Sequence, residues 1–207
     1  MRHATKLLLA GFGLTGVLAL GASSARAQTK AVSGAGTGAW VRSAGIVTQA
    51  ASAAMPDGGG QASDDLTGVS LGGLLSASAV TAVTAGEGGV DRASAQTVSS
   101  AGGLNVLNGL IRARRVVAVA SAVANGDQLA SDTEGSGFAG LVVNGLAMGD
   151  NDYLPAPNTR VDLLGVGYVI LNERTASATG VGVNMIHVVL LSGEEIVVGA
   201  ASSEVGS

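Results

Sequence analysis

Past residue 27 this chain offers only four aromatic side chains, Trp40, Phe138, Tyr153 and Tyr168, and it has no cysteine anywhere. Ala, Val and Leu must fill whatever core it builds, without disulfides, thiol chemistry or zinc–thiolate sites. Thin side chains of that kind suit closely stacked sheets. Glycine supplies 33 of the 207 residues, about twice its usual ~7% share. It alternates with Val, Leu and Ile runs able to bury surface, so it reads as turn chemistry between many short strands and not as disorder.

The N-terminus is patterned for export. Arg2, His3 and Lys6 precede an uncharged apolar stretch from Leu7 to Leu20, and Ala25-Arg26-Ala27 forms an A-x-A cleavage site that would make Gln28 the first mature residue. The stretch of about 14 apolar residues is shorter than the ~20 that span a bilayer. Removing 1–27 takes away Arg2, Lys6 and Arg26 and no acid, so 11 basic and 15 acidic side chains become 8 and 15, a formal charge of −7. Such a surface discourages nucleic acid and anionic lipid, and stable membrane insertion after cleavage is not expected.

A repeat organises the middle of the chain. Leu71-Gly72-Gly73-Leu74, Leu107-Asn108-Gly109-Leu110 and Val143-Asn144-Gly145-Leu146 recur every 36 residues, and Ala77, Val80 and Ala82 match Ala113, Val116 and Ala118. Asn-Gly tolerates φ > 0 at both central positions of a type I′ hairpin turn, so Asn108-Gly109 and Asn144-Gly145 are the strongest local turn signals. Leu110 to Ala124 is consistent with a strand, although its alanines leave a helix open, and Asn125-Gly126-Asp127 turns it back. Val161–Leu164 with Tyr168–Leu171, and Met185–Leu191 with Ile196–Val198, form hairpins around Gly-bearing turns. The expected fold is an all-β antiparallel β-sandwich of short strands and hairpins, with a stacked solenoid-like β repeat as the alternative. The expected organisation is a cleaved signal over 1–27, a flexible lead-in over 28–38 and a single β-rich domain over 39–207. Within that domain, Trp40 to Ala54 contains the first strand and Met55 to Asp65 forms a long loop.

Motifs for chemistry are sparse. Gly11-Phe12-Gly13-Leu14-Thr15-Gly16 matches G-x-G-x-x-G, but it lies in the signal's apolar core and not between a strand and a helix. His187 is the only histidine after residue 27, and simple alternation puts it on the face of Met185, Val189 and Leu191. With one His, no Cys and no G-x-S-x-G elbow, a Ser-His-Asp or Cys-His apparatus has no support. Asp64-Asp65, Glu194-Glu195, Asp127, Asp132 and Glu134 read as surface acids. Asp150, Asn151 and Asp152 set three oxygen ligands in one turn, but without EF-hand spacing or its bidentate Glu, so calcium is left open and no ligand is assigned. In Arg112-Ala113-Arg114-Arg115, alternation puts Arg112 and Arg114 on one face and Arg115 on the other, paired with surface acids. No catalytic, cofactor-binding or metal-ligating residue is assigned, and no cofactor is expected.

Several segments carry a family likeness. Gly137-Phe138-Ala139-Gly140-Leu141-Val142-Val143-Asn144-Gly145, Pro157-Asn158-Thr159-Arg160-Val161 and Gly165-Val166-Gly167-Tyr168-Val169-Ile170-Leu171-Asn172-Glu173 resemble bacterial choice-of-anchor P proteins. So do Val183-Asn184-Met185-Ile186-His187-Val188 and Glu195-Ile196-Val197-Val198-Gly199. The resemblance is strongest over 101–201. It implies an exported homology domain of undefined molecular role that precedes differing surface-anchoring tails. This chain stops at Gly206-Ser207 without such a tail, so a freely secreted or periplasmic product is expected. The expected function is an exported, non-catalytic structural or interaction domain serving a protein or cell-envelope partner. The alternatives are a carboxylate-based or calcium-dependent extracellular hydrolase, and a small-ligand binding module whose pocket is lined by the few aromatics.

Overall fold

Chain reversals, most of them at glycine or asparagine, divide the described residues into fourteen strands. In the computed structural model, which describes residues 28–206, these are β1 Val32–Ser43, β2 Ile46–Ala54, β3 Gly59–Leu71, β4 Leu75–Glu87, β5 Arg92–Val106, β6 Ile111–Asn125 and β7 Gln128–Asp132. The remainder are β8 Gly137–Ala139, β9 Val142–Val143, β10 Leu146–Ala147, β11 Thr159–Leu163, β12 Gly167–Ala176, β13 Gly180–Leu190 and β14 Glu195–Val205. The expected signal, 1–27, lies outside the described residues. All pairings are antiparallel. One sheet runs β11-β12-β13-β14-β1-β2, and the other runs β10-β9-β6-β5-β4-β3, with β7 and β8 also paired to β6.

The two sheets pack face to face as the expected all-β sandwich, although the principal strands reach 15 residues, longer than the short strands expected. The 36-residue repeat is the period of an up-and-down meander and not of a solenoid. Its three turns join β3 to β4, β5 to β6 and β9 to β10 at one end of the sheet, where Leu107 N–H donates to Leu74 O (2.8 Å) and Asn144 N–H to Leu110 O (2.9 Å). Both Asn-Gly pairs adopt the positive φ that the turn demands: 53° and 93° at Asn108-Gly109, 54° and 76° at Asn144-Gly145.

Two expectations for the N-terminal part are corrected. Val32–Gly38, read as lead-in, belongs to β1 in the interior of the six-stranded sheet, and Gly59–Asp65, read as loop, opens β3. The glycines that made β1 look flexible are there for close approach. A Cβ at Gly36 would stand 2.8 Å from Ser99 Oγ, and one at Gly38 would stand 2.8 Å from Val80 Cβ across the sandwich.

That proximity marks one half of a wedge. Near the chain termini the interior is Ala82, Thr84, Thr97, Ser99, Ala120, Ala122, Ala201 and Ser203, all under 5% exposed. Hydroxyls of one sheet reach carbonyls of the other, with Ser99 Oγ donating to Ala200 O at 2.7 Å and Thr97 Oγ1 to Ser202 O at 2.8 Å. Such bonds require a sheet separation well under the usual ~10 Å. Thr84 and Ser203 complete the network, Ser203 Oγ donating to Ala120 O at 2.9 Å, so each hydroxyl of this network is satisfied. In the other half, Leu75, Ile111, Leu141, Leu163, Leu171, Ile186 and Ile196 hold the sheets further apart.

The halves meet along a kink in each sheet. In the six-stranded sheet the ladder skips the pairs among Ala51, Gly38, Gly199, Met185 and Asn172, yet residue counts match on both sides of the gap. Alternate strands place a residue in the left-handed region there: Ala51 at 51°, Gly199 at 64° and Asn172 at 52°. The eight-stranded sheet does the same along Gly68, Ser78, Gly103 and Arg114, with Gly68 at 63° and Gly103 at 57°. Each kink advances the inward alternation by one residue. In β13 the buried set is accordingly Val183, Met185, Ile186, Val188 and Leu190.

Candidate functional site

The kink brings polar groups together on the outer face of the six-stranded sheet. His187, expected to share a face with Met185 and Leu191, points outward instead: Met185 is fully buried in the core at the kink and Leu191 lies in the β13–β14 turn. Val189 does share its face. Across the strands, register aligns Trp40 with Val197 and Val197 with His187. Val197 is only 1% exposed although it faces outward, so the neighbouring side chains roof it.

Beyond the kink the next outward row is Ser52, Thr37, Ala200, Asn184 and Glu173. Glu173 Oε2 accepts from Asn184 Nδ2 at 2.8 Å and meets His187 Nδ1 at 2.9 Å. A carboxylate facing Nδ1 requires the proton on that nitrogen, which leaves Nε2 as the other functional atom. Nε2 is buried and has no partner among the described residues. Beside this trio lies an open trough of about 260 Å³ lined by Ala35, Thr37, Thr175, Asn184, Glu173 and Ser202, and a smaller hollow of about 120 Å³ continues it to Glu204. Its floor is backbone and small side chains, Gly182 and Ala200, and among the described residues no Lys or Arg lines it.

Two of the four aromatics among the described residues also lie on this face, each attended by an arginine. The Arg160 guanidinium sits 3.8 Å from the Tyr168 ring centre and bonds Asp162 at 3.1 Å. Arg42 lies 5.4 Å from the Trp40 ring and bonds Glu195 at 3.0 Å. Phe138 is in the core and Tyr153 packs at its margin, bridged to Phe138.

The acids singled out in the sequence do not converge. Asp64 and Asp65 stand on β3, where Asp64 Oδ2 accepts the Ser52 amide at 2.9 Å and so caps the edge of β2. Asp127 occupies the β6–β7 turn, and Asp132 Oδ1 accepts the Glu134 amide at 3.0 Å. Glu194 has its pKa lowered, chiefly by the Ser192 hydroxyl and then by its own backbone amide. On the outer face, Glu173 and Glu204 align with Asn184 and Gly180 of β13. Those positions are four residues, about 13 Å, apart, wider than the ~5–9.5 Å of paired glycosidase carboxylates.

In the Asp150–Asp152 turn, Arg114 Nη2 donates to Asn151 Oδ1, and Arg115 Nη2 lies 3.4 Å from Asp152 Oδ1. Among the described residues, no three His, Asp or Glu side chains gather to hold a metal ion. Arg115 was expected on the face opposite Arg112 and Arg114. The kink at Arg114 changes this: Arg112, Arg114 and Arg115 are all exposed, and the last two reach the same turn.

Sequence reasoning missed Glu173, Asn184, Thr37 and Thr175. The one local signal was Asn172, an asparagine inside a strand pattern, which marks the break in alternation that turns Glu173 outward. Fold and face together define a two-sheet β-sandwich that displays on one sheet a trough lined by polar and small apolar side chains. No family model, curated protein or solved structure matches the chain.

Proposed function

We propose that this chain is an exported, non-catalytic binding module, and that it engages a cell-envelope or surface partner through the outer face of the six-stranded sheet. The observation that carries the reading is the trough beside Glu173, Asn184 and His187. Thr37, Glu173, Thr175, Asn184 and Ser202, half of the residues that line it, carry hydroxyl, amide or carboxylate groups, its floor is stripped of large side chains, and Glu173 in its lining is held by Asn184 and His187. The dispersal of the carboxylates favours binding over hydrolysis. Such a lining suits an uncharged or cationic partner rich in hydrogen-bonding groups. Export rests on the N-terminal sequence pattern, and the resemblance to choice-of-anchor P proteins agrees with a secreted or periplasmic address.

The test is retention of cell-wall fractions and surface proteins on the immobilised protein, beside the variants Ala35→Arg and Thr37→Arg. Both introduce a long cation into the trough from positions outside the core. Retention by the wild type that is lost in both variants, with unchanged circular dichroism, is the expected result. Turnover of any substrate that a single Asp or Glu substitution abolishes would refute the reading. Trp40 fluorescence, read during titration with soluble wall fragments, gives an independent readout, since the indole stands one outward row from Thr37.

A further inference from the structure

Among the described residues, the most exposed large apolar side chains are Leu164 (96%), Leu191 (79%), Ile46 (70%) and Leu146 (70%). All four lie at turns of one pole. Leu164 is in the β11–β12 turn, Leu191 in the β13–β14 turn, Ile46 at the β1–β2 turn and Leu146 at the β9–β10 turn. Leu107 and Leu110 of the β5–β6 turn belong to the same end, half-buried. Gathering at one end follows from the topology: odd-numbered long strands run toward this pole, even-numbered ones run away from it, and the kink lines keep both sheets in step.

The turns are braced against one another. Leu191 N–H donates to Val166 O (2.9 Å), Leu107 N–H to Leu74 O (2.8 Å) and Asn144 N–H to Leu110 O (2.9 Å), while Asn144 Nδ2 ties the two sheets by donating to Asp162 O (3.0 Å). The leucines therefore project from a fixed frame, and a docked partner would lose little conformational entropy. Exposed apolar groups concentrated in this way mark an interaction surface, whereas scattered ones do not.

Charge selects the occupant. The rim of this pole carries Arg42, Arg112 and Arg160 against Asp162, Glu194 and Glu195, a formal sum of zero. The opposite pole, where the described chain begins and ends, carries Lys30 and Arg92 against Asp57, Glu87, Asp91, Asp127 and Glu204. A surface that meets its own copy doubles whatever net charge it has, so the acidic pole repels itself and the neutral pole does not. Without an excess of Lys or Arg, the pole also lacks the attraction that anchors a protein to anionic lipid. We propose that the occupant is a second copy of this chain, the two molecules meeting pole to pole about a two-fold axis. Leucines of one copy then cover those of the other, and the trough faces of both copies stay free.

Sedimentation equilibrium over a concentration series tests this with the soluble wild type, the double variant Leu164→Ser/Leu191→Ser and the control Leu66→Ser. Leu66 is 44% exposed on β3, away from the pole. A wild-type dimer, dissociation at least tenfold weaker in concentration terms for the control than for the double variant, and indifference to added salt are the expected results. All three proteins should share one circular dichroism spectrum, because each substituted side chain is exposed. A wild type that stays monomeric to its solubility limit overturns the proposal. So does a dimer that Leu66→Ser weakens as much as the double variant, one that salt dissociates, or a monomer that binds phosphatidylcholine vesicles through Leu164 and Leu191.

Discussion

Gly36→Ala is the sharpest test of the narrow half of the sandwich, because the expected sign is opposite to the ordinary one. Replacing an interior strand glycine with alanine normally adds roughly 0.5–1 kcal/mol, since it cuts the entropy of the unfolded chain. Here the new Cβ would lie 2.8 Å from Ser99 Oγ, 2.9 Å from Thr97 Cγ2 and 3.5 Å from Ala82 Cβ. Ser99 can yield only by leaving its 2.7 Å bond to Ala200 O, and a buried hydroxyl without a partner costs about 1–3 kcal/mol. The other outlet is separation of the sheets, which carries the ~1–3 kcal/mol of overpacking. Either route outweighs the entropic gain, and the net loss should be about 1–2 kcal/mol, or roughly 3–6 °C in Tm for a chain of this length. Urea unfolding followed by Trp40 fluorescence should show a lower midpoint at unchanged slope. Ser99→Ala removes the nearest clashing atom, so the pair should couple by at least ~0.5 kcal/mol in a double-mutant cycle. A Gly36→Ala protein as stable as wild type, or more so, would refute the close stacking of the two sheets.

Asn172→Ala should cost about 2–4 kcal/mol in the same assay. It removes a fully buried amide that donates to Pro155 O at 2.8 Å, and it forces alanine to a φ of 52°. Asn172→Gly should recover the backbone part of that loss but not the hydrogen-bond part. Gly199→Ala, at φ 64° with its Cβ 3.2 Å from Val116 Cγ1, should lose about 1–3 kcal/mol by thermal melting. An unchanged Tm would show that the kink does not need its left-handed residue. For Glu194, NMR titration should give a midpoint below the ordinary glutamate range, and Ser192→Ala should raise it toward that range. A folded-state pKa below the unfolded one contributes stability above the unfolded pKa, and this is lost as the pH falls through the folded value. At this exposed turn that contribution should also fade with added salt.

Hairpins were legible because their signals are local. Asn108-Gly109, Asn144-Gly145 and Gly165 each specify a reversal through backbone geometry alone, and the even spacing of the first two shows the meander. What could not be read was every change of phase. A kink that conserves residue count leaves no insertion in the sequence, so alternation counted from Leu191 or Arg112 arrives on the wrong face beyond Met185 or Arg114. β1 was misread for a related reason. Gly34, Gly36 and Gly38 are glycines because the facing sheet occupies the space of a side chain, a tertiary cause that composition presents as flexibility. Glu173 and Asn184 stayed hidden because they become partners only through register across β12 and β13.

The kink and the candidate site are one feature seen from two sides. On a regular strand, residues three apart face opposite ways, so Asn184 and His187 could not both present to one carboxylate, nor Thr37 and Trp40 share a surface. The break at Gly38, Gly199, Met185 and Asn172 removes that conflict, and Glu173, next to Asn172, then reaches both donors within 2.9 Å. On the inner side the same break marks where buried hydroxyls give way to Leu and Ile, with Ala and Val on both sides of it. The narrow half therefore supplies both the close sheet approach and the small-residue trough floor, since Gly182 and Ala200 lie on that side of the kink. A substitution at Asn172 should thus weaken partner binding as well as the fold, whereas one at Ser99, on the facing sheet and outside the trough lining, should reduce stability and leave the trough's affinity intact.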